Sequence, residues 1–487
     1  MNKHHRLILY YLGIFIFMIG VIQLLPIPVV LLYPEEIKYL YCFIIPSMIA
    51  FVFGLALRIS FKNVEIIKLE KHYDSVLVVL IWLSAILLST IPWLLKGDYN
   101  FTQAAFEMTS GFSTTGLSVV DVENTPHIFL IFRSITLFVG GVGLILILTC
   151  AFNDRYGLNL YNAEGHNDKL MPNLAKSARL ILSIYSAYIV FGTIAYYLLG
   201  MPIFDAVNTS IAALSTGGFS VINASIYGYH SLGIELVTIL LMMLGQTNFL
   251  LHLSLMNKKF KNIIHHCESK FFIFLVIVLI PLMIINLLTT NYSSDLLESL
   301  RISVFQFVTC ITTTGFVSVE SLEALPSGFI TIMILLMLFG GNLESTGGGI
   351  KQYRIIVTLK GIYYKLKNTV SNTRMIRTHF IERVGKKTVL SDEEISSTSS
   401  YILFYLLLFF IGSLIFTLFG YSLQDSMFEF SSAISTVGLS VGITNYYAHP
   451  IILWTAMVGM FLGRLEIMVV FEAIFRSIKD IRKKENI

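Results

Sequence analysis

A chain of 487 residues that is 55% hydrophobic and 13% charged, with a mean hydropathy of +0.75, lacks the polar surface to cover a water-soluble globule. Its net charge is only +4, and its basic runs, Lys483-Lys484 among them, read as topology and lipid contact rather than nucleic-acid binding. Four cysteines far apart (Cys42, Cys150, Cys267, Cys310) and scattered histidines, with His265-His266 reading as a solvated loop face, give no disulfide framework and no zinc site.

The N-terminus begins MNKHHR and runs apolar to about Tyr33 without a small-x-small cleavage site, so it reads as a retained spanning helix and not a signal peptide. A second span covers 38–57, and each run is near the ~20 apolar residues needed to cross a bilayer. From residue 75 a three-part unit repeats: a full apolar span, a shorter half-polar run, and a second span. First spans fall at 75–95, 179–200, 271–289 and 400–420; second spans fall at 128–149, 232–254, 328–350 and 450–475. The chain then divides into an N-terminal helix pair (1–70) and pore units at 71–165, 166–265, 266–390 and 391–487. This count gives ten spans and four re-entrant loops. Of the 34 lysines and arginines, 29 fall before the first span, in 58–71, 155–179, 258–270 and 351–387, and after Phe475. The other five are Lys38 and Lys96 in the intervening loops and Arg133, Arg301 and Arg464 in or next to predicted helices; this distribution predicts a multi-pass protein with both termini cytoplasmic.

The short run of each unit ends in one recurring stretch: FEMTSGFSTTGLSVV at Phe106–Val120, NTSIAALSTGGFSV at Asn208–Val221, FQFVTCITTTGFVSV at Phe305–Val319 and FEFSSAISTVGLSV at Phe428–Val441. The shared cores are Thr114-Thr115-Gly116, Thr216-Gly217-Gly218, Thr313-Thr314-Gly315 and Thr436-Val437-Gly438, an internal fourfold repeat. The run from about Thr102 to Ser113 is too short to span and too polar to face lipid. Irregular backbone at membrane depth must be buried in protein or line a water-filled cavity. A half-helix that dips in and returns as an extended strand satisfies this, and its C-terminal dipole end favours cations. Backbone carbonyls around one axis can dehydrate a small monovalent cation without net charge, and Gly permits the backbone conformations this needs. A single Thr-Gly pair after a half-helix is an ordinary C-cap. Four copies, each between two spans and on one predicted side, argue for more. The expected fold class is an all-α polytopic membrane protein, with an N-terminal helix pair and four pseudo-repeated helix–pore-loop–helix units around a central pore.

Beyond each core Gly lies another, Gly140, Gly245, Gly340 and Gly463, followed by Gly141, Gln246, Gly341 and Arg464. An arginine in mid-span costs several kcal/mol unless it faces a cavity or a partner. Arg464 either pairs with Glu466 or Glu472 as helix glue or projects beneath the loops as a fixed positive barrier. Glu466, two residues away on one helix, does not face it, which favours the barrier. The segment Gly340-Gly341-Asn342-Leu343-Glu344-Ser345-Thr346-Gly347-Gly348-Gly349 has five glycines in ten residues. It cannot be a helix centre at ~1 kcal/mol per Gly. Gly349-Ile350-Lys351 breaks the order a phosphate loop needs. Arg133 and Arg301 are candidates to pair with Glu107 or Glu298 as scaffold, and Asn248 and Asn342 either line the cavity or bond across helices.

These units, together with FVGGVGLILI after the first loop, YNAEG at Tyr161–Gly165, GGNLESTGGGIKQYR at Gly340–Arg354 and GRLE at Gly463–Glu466, resemble the Trk/Ktr/HKT superfamily of potassium transporters over residues 7–478. The additional N-terminal pair makes the Trk-type membrane subunit the nearest match. The resemblance implies that K⁺ is the transported ion, bound by the twelve core residues acting as a selectivity filter, and that residues 340–349 form an intramembrane gate with Arg464. It implies a homodimer in the cytoplasmic membrane, seated on a cytosolic ring of nucleotide-binding (NAD/ATP) regulatory subunits, with 351–387 in the docking surface. The chain itself has no nucleotide fingerprint and no catalytic constellation, so it is not expected to be an enzyme. In the sodium-carrying plant members the first filter glycine resembles a serine, whereas Gly116, Gly218, Gly315 and Gly438 are all glycine. That points to potassium, with a Na⁺ or mixed Na⁺/K⁺ transporter as the alternative. Glu344 stands where a small residue is expected, to attract K⁺ or to neutralise Arg464.

Overall fold

The computed structural model describes residues 3–63, 73–144, 174–370 and 380–485. Cys150 and the YNAEG stretch lie outside them. The N-terminal pair is Lys3–Leu24 and Tyr41–Ser60, joined by two 3-10 turns at Ile27–Leu31 and Pro34–Tyr39. Among the described residues six helices are long and apolar enough to cross a membrane. They are this pair and the first helix of each unit: Tyr73–Lys96, Leu174–Leu198, Cys267–Thr289 and Asp392–Leu418.

The second helices depart from expectation. All four are read from the sequence as spans; Ser327–Phe339 stops where the glycine-rich segment 340–349 is expected to end a helix, whereas His127–Val142 and Pro450–Arg464 stop after 16 and 15 residues with no such run of glycines. Leu232–Gln246 gives way to Phe249–Met256 across a 111° bend. Each break has a local cause. Gly143 (φ 104°), Gly340 (φ 71°) and Glu466 (φ 59°) leave helical space, and Asn248 starts a new helix by accepting from the Leu250 amide at 2.8 Å. Hydropathy runs on around Gly143, Asn248 and Glu466, so the ten expected spans are, among the described residues, six long helices and four second helices that break.

The four short helices are as the repeat predicts: Phe101–Phe112, Ile203–Leu214, Leu296–Ile311 and Leu423–Ile434. Asn100, Asp295 and Ser422 cap three of their N-termini with side-chain acceptors, the preferred residue types there. From Gln103 to Phe112 every residue is buried, so these helices are the inner layer and the long helices wrap them. The core follows the same plan. One apolar cluster surrounds the short helices of units 2 to 4, including Phe305, Phe307, Phe428 and Phe430, and another joins the N-terminal pair to unit 1 through Trp82, Trp93, Phe112 and Phe129.

One element adds to the helical plan. Phe380–Arg383 and Lys386–Val389 form an antiparallel hairpin over a two-residue turn in which Val384 and Gly385 both have positive φ, the pattern of a tight hairpin turn. It packs on Cys267, Tyr353 and Val357 at the start of the third unit's first helix and the helix Gln352–Val370.

Candidate functional site

Each short helix ends in the same way. The amides of Thr115, Gly217, Thr314 and Val437 reach back five residues to the carbonyls of Ser110, Ala212, Thr309 and Ser432 at 2.8–3.0 Å. The residue before each, Thr114, Thr216, Thr313 or Thr436, is left-handed, with φ between 51° and 55°. This is the Schellman cap, but with threonine where glycine ordinarily sits. A β-branched residue at positive φ is an outlier that survives only where its surroundings hold it. Four such threonines, all fully buried, mark one repeated constraint.

Two residues on, Gly116, Gly218, Gly315 and Gly438 again have positive φ, 59° to 98°. In three units a hydroxyl of the short helix holds the glycine amide: Ser110 at 3.0 Å, Thr309 at 3.1 Å and Ser432 at 3.0 Å. In unit 2 the matching residue is Ala212. A backbone whose φ changes sign residue by residue can turn successive carbonyls to one side, whereas a regular strand alternates faces.

The loops close on one another. A Cβ on Gly116 would strike the Gly217 carbonyl oxygen, one on Gly218 that of Thr314, one on Gly315 that of Val437, and one on Gly438 that of Thr115. The order is unit 1 to 2 to 3 to 4 and back to 1. The twelve core residues therefore form a ring, and the close approach leaves no room for a side chain at Gly116, Gly218, Gly315 or Gly438.

Beneath the ring, Gly140, Gly245 and Gly463 press against the terminal carbonyls of the short helices at Phe112, Leu214 and Ile434. In unit 3 the glycine-rich segment fills this level. The Thr346 hydroxyl lies 2.8 Å from the Gly245 carbonyl, 3.2 Å from that of Leu214 and 3.2 Å from the Thr216 hydroxyl. The Gly348 amide donates to Thr313 Oγ1 at 2.7 Å, and Gly348 abuts Ser435 and Thr436 with no room for a Cβ. Asn248 donates to the Leu343 carbonyl at 2.8 Å, so it bonds to the glycine-rich segment and not to another helix. The segment thus touches units 2, 3 and 4.

Arg464 supplies the contact to unit 1. Its guanidinium donates to the Thr346 carbonyl at 2.7 Å and the Gly141 carbonyl at 3.1 Å, and also to the Gly140 carbonyl. Glu466 pairs with Arg354. A cavity of about 40 Å³ between Arg464, Glu344, Lys351 and Glu466 has room for a few waters at most, since one needs ~10–15 Å³. Loop and arginine together occlude the level below the ring.

A family model described as TrkH, cation transport protein, matches residues 41–482. The chain belongs to the TrkH family. An uncharacterized cation transporter of Methanocaldococcus jannaschii is 29% identical over 98% of this chain and 97% of its own. The Trk system potassium uptake protein TrkG of Escherichia coli strain K12 is 28% identical over 97% and 99%. The crystal structure of the potassium transporter TrkH from Vibrio parahaemolyticus superposes with a TM-score of 0.84 over 98% of both chains at 23% identity, which establishes the shared fold. These relatives are transporters, in keeping with a TrkH-family chain that shows no catalytic constellation in its sequence.

Nine residues before the ring glycines Gly116, Gly218, Gly315 and Gly438, this TrkH-family chain carries a buried polar residue in every unit, Glu107, Thr209, Gln306 and Glu429, and the two carboxylates hold the loops of units 1 and 4. Glu107 accepts from Ser118 Oγ at 3.0 Å and the Val119 amide at 3.2 Å, and pairs with Arg133 at 2.7 Å. Arg133 also donates to the Ser220 carbonyl of unit 2 at 3.2 Å, as expected of a scaffold residue. Glu429 accepts from Ser440 Oγ at 2.7 Å and the Val441 and Thr444 amides, each at 2.9 Å. Reading Glu107 alone missed this set, although the position is polar in every copy of the repeat. Arg301 pairs with Glu235, at 2.8 Å, and not with Glu298. Replacing Arg133 with Ala leaves a buried carboxylate uncompensated, so a loss of about 3–5 kcal/mol is expected. Thermal unfolding in detergent checks it, and an unchanged midpoint would show that the pair does not hold the loops.

Proposed function

We propose that this chain is the ion-conducting subunit of a potassium uptake system in the cytoplasmic membrane, with both termini cytoplasmic. K⁺ enters from outside, exchanges its hydration shell for carbonyl oxygens of the filter residues Thr114–Gly116, Thr216–Gly218, Thr313–Gly315 and Thr436–Gly438, and moves inward down its electrochemical gradient. Four short helices point C-terminal ends at this level, each worth roughly half a negative charge, which favours a monovalent cation without a fixed carboxylate that would trap it. The single observation that carries the reading is the cyclic closure of the four loops, each glycine seated on the next loop's carbonyl. The potassium uptake named for the Escherichia coli relative supports the choice of ion.

The segment 340–349 and Arg464 act as the gate. They lie across all four units one level below the filter, and the loop must move before a cation passes. We assign its control to a cytosolic nucleotide-binding ring that docks on 351–387 and neighbouring cytoplasmic loops, and place the chain in a homodimer. The name "Trk system" borne by the relatives supports a multi-component assembly.

Rubidium-86 uptake into proteoliposomes tests the reading: uptake competed by K⁺ and not by Na⁺ is expected, and equal competition would move the chain to the sodium or mixed class. The role of Glu344 has its own test. Its backbone carbonyl holds the Phe249 amide at 3.1 Å at positive φ, and its side chain shares the small cavity with Arg464. A double-mutant cycle of Glu344→Gln with Arg464→Gln, read as rubidium flux, is expected to give a coupling of 0.5–3 kcal/mol, the range for residues in one network. Additive effects would exclude neutralisation of Arg464 by Glu344.

A further inference from the structure

The gate segment is gripped from outside the pore by one carboxylate. Glu268 is 1% exposed and stands in the first turn of the helix Cys267–Thr289. Its Oε1 accepts from the Leu343 amide at 2.7 Å and from the Tyr353 amide at 3.2 Å. Leu343 lies within the gate segment and Tyr353 just beyond its end, so a single oxygen ties the entering and leaving legs together.

The other oxygen, Oε2, is 2.8 Å from Nε2 of His266, also 1% exposed. The opposite ring nitrogen, Nδ1, lies 3.2 Å from the amide nitrogen of Val384 in the hairpin turn. A backbone N–H can only donate, so Nδ1 is the acceptor and Nε2 carries the proton given to Glu268. The chain of donors runs one way, from hairpin to imidazole to carboxylate, and the carboxylate's remaining oxygen takes the gate amides.

The hairpin has two further footholds here. Arg383 lies over the Tyr353 ring at 4.7 Å, and Glu382 pairs with Lys270 at 2.8 Å at the surface. Tyr353 in turn donates its hydroxyl to Glu394 at 2.6 Å. The hairpin therefore bears on the exit leg of the gate by one route and on both legs by the other.

We propose that Glu268 and His266 are positioning residues for the gate, and that they form the link by which displacement of the hairpin 380–389 reaches the segment 340–349. The proposal rests on the gate reading above. With the link made, both legs are clamped and the segment stays across the pore. When the hairpin is pulled away, His266 loses the partner that fixes its tautomer, Glu268 loses its orienting donor, and the legs are released.

The test uses the full chain in proteoliposomes, with rubidium-86 flux for Glu268→Gln, His266→Ala, the double variant and Arg464→Ala. Gln at 268 places a donor against either His266 or the gate amides, so basal flux is expected to rise about tenfold, the equivalent of losing one charge-assisted hydrogen bond. His266→Ala is expected to raise it as well, and the double variant no further than the larger single effect. The rubidium-over-sodium preference should stay fixed, because neither residue touches the filter. A raised flux for Arg464→Ala with unchanged flux for Glu268→Gln would sink the link and leave the gate standing. No rise in either would overturn the gate reading, and the link with it. If Glu268→Gln does not fold, hydrogen exchange of His266→Ala decides. Faster exchange across 340–353, which His266 does not touch, is expected, and a change confined to 380–389 overturns the proposal.

Discussion

Replacing Arg464 with Ala is expected to raise rubidium flux by at least about tenfold. The guanidinium bridges the Thr346 carbonyl to the Gly140 and Gly141 carbonyls, so on the proposed reading its removal takes away both a tether of the segment 340–349 and a fixed charge. Two unit charges 4 Å apart interact by ~4 kcal/mol at an effective dielectric constant of ~20. The surrounding carbonyls offset part of this, and even a third of it is about a tenfold change in rate. Arg464→Lys separates the two contributions: it keeps the charge but loses the planar fork that reaches both sides. An intermediate flux is expected for it, and flux equal to that of the unmodified chain in both variants would remove Arg464 from the gate. Single-channel conductance and rubidium uptake measure the same effect independently.

Replacing Gly116 with Ser is expected to abolish discrimination between K⁺ and Na⁺ and to lower rubidium uptake by at least about tenfold. Two costs are involved. A non-glycine residue at φ 93° is strained by about 1–3 kcal/mol, and its Cβ collides with the Gly217 carbonyl oxygen, which must turn or retreat. Because that oxygen belongs to the next loop, the damage passes around the ring. Gly200 offers a control for the first cost. It has the same φ of 93° but nothing within 4 Å of an added Cβ, so Gly200→Ser is expected to leave uptake and selectivity unchanged. Were Gly116→Ser equally silent in both, the ring would not be the filter.

Much of this was legible in the sequence because it repeats. The core around Gly116 predicts a short helix from about Thr102, one residue from the observed Phe101, and the ring of four follows from the copies. The break in the third unit's second helix was legible in the five glycines of 340–349, but those near Asn248 and Glu466 were not, because the flanking residues stay apolar around Thr247-Asn248 and Glu466, and only packing under the short helices decides where the helix stops. The partners of Arg464 were hidden for a different reason. Sequence suggests carboxylates for an arginine, and it found backbone carbonyls of another unit, exposed by the glycines at 140 and 141. His265-His266 reads as one solvated pair. In the fold His265 is exposed and His266 buried against Glu268, a split that depends on a hairpin too short and too charged to be seen in the pattern.

The central claim is a potassium filter closed by four loops, and the reversal potential of the full chain in a planar bilayer tests it most directly. With equal K⁺ on one face and Na⁺ on the other, a large potential set by K⁺ is expected for the unmodified chain and a collapse toward zero for Gly116→Ser. A reversal potential near zero in the unmodified chain would contradict it.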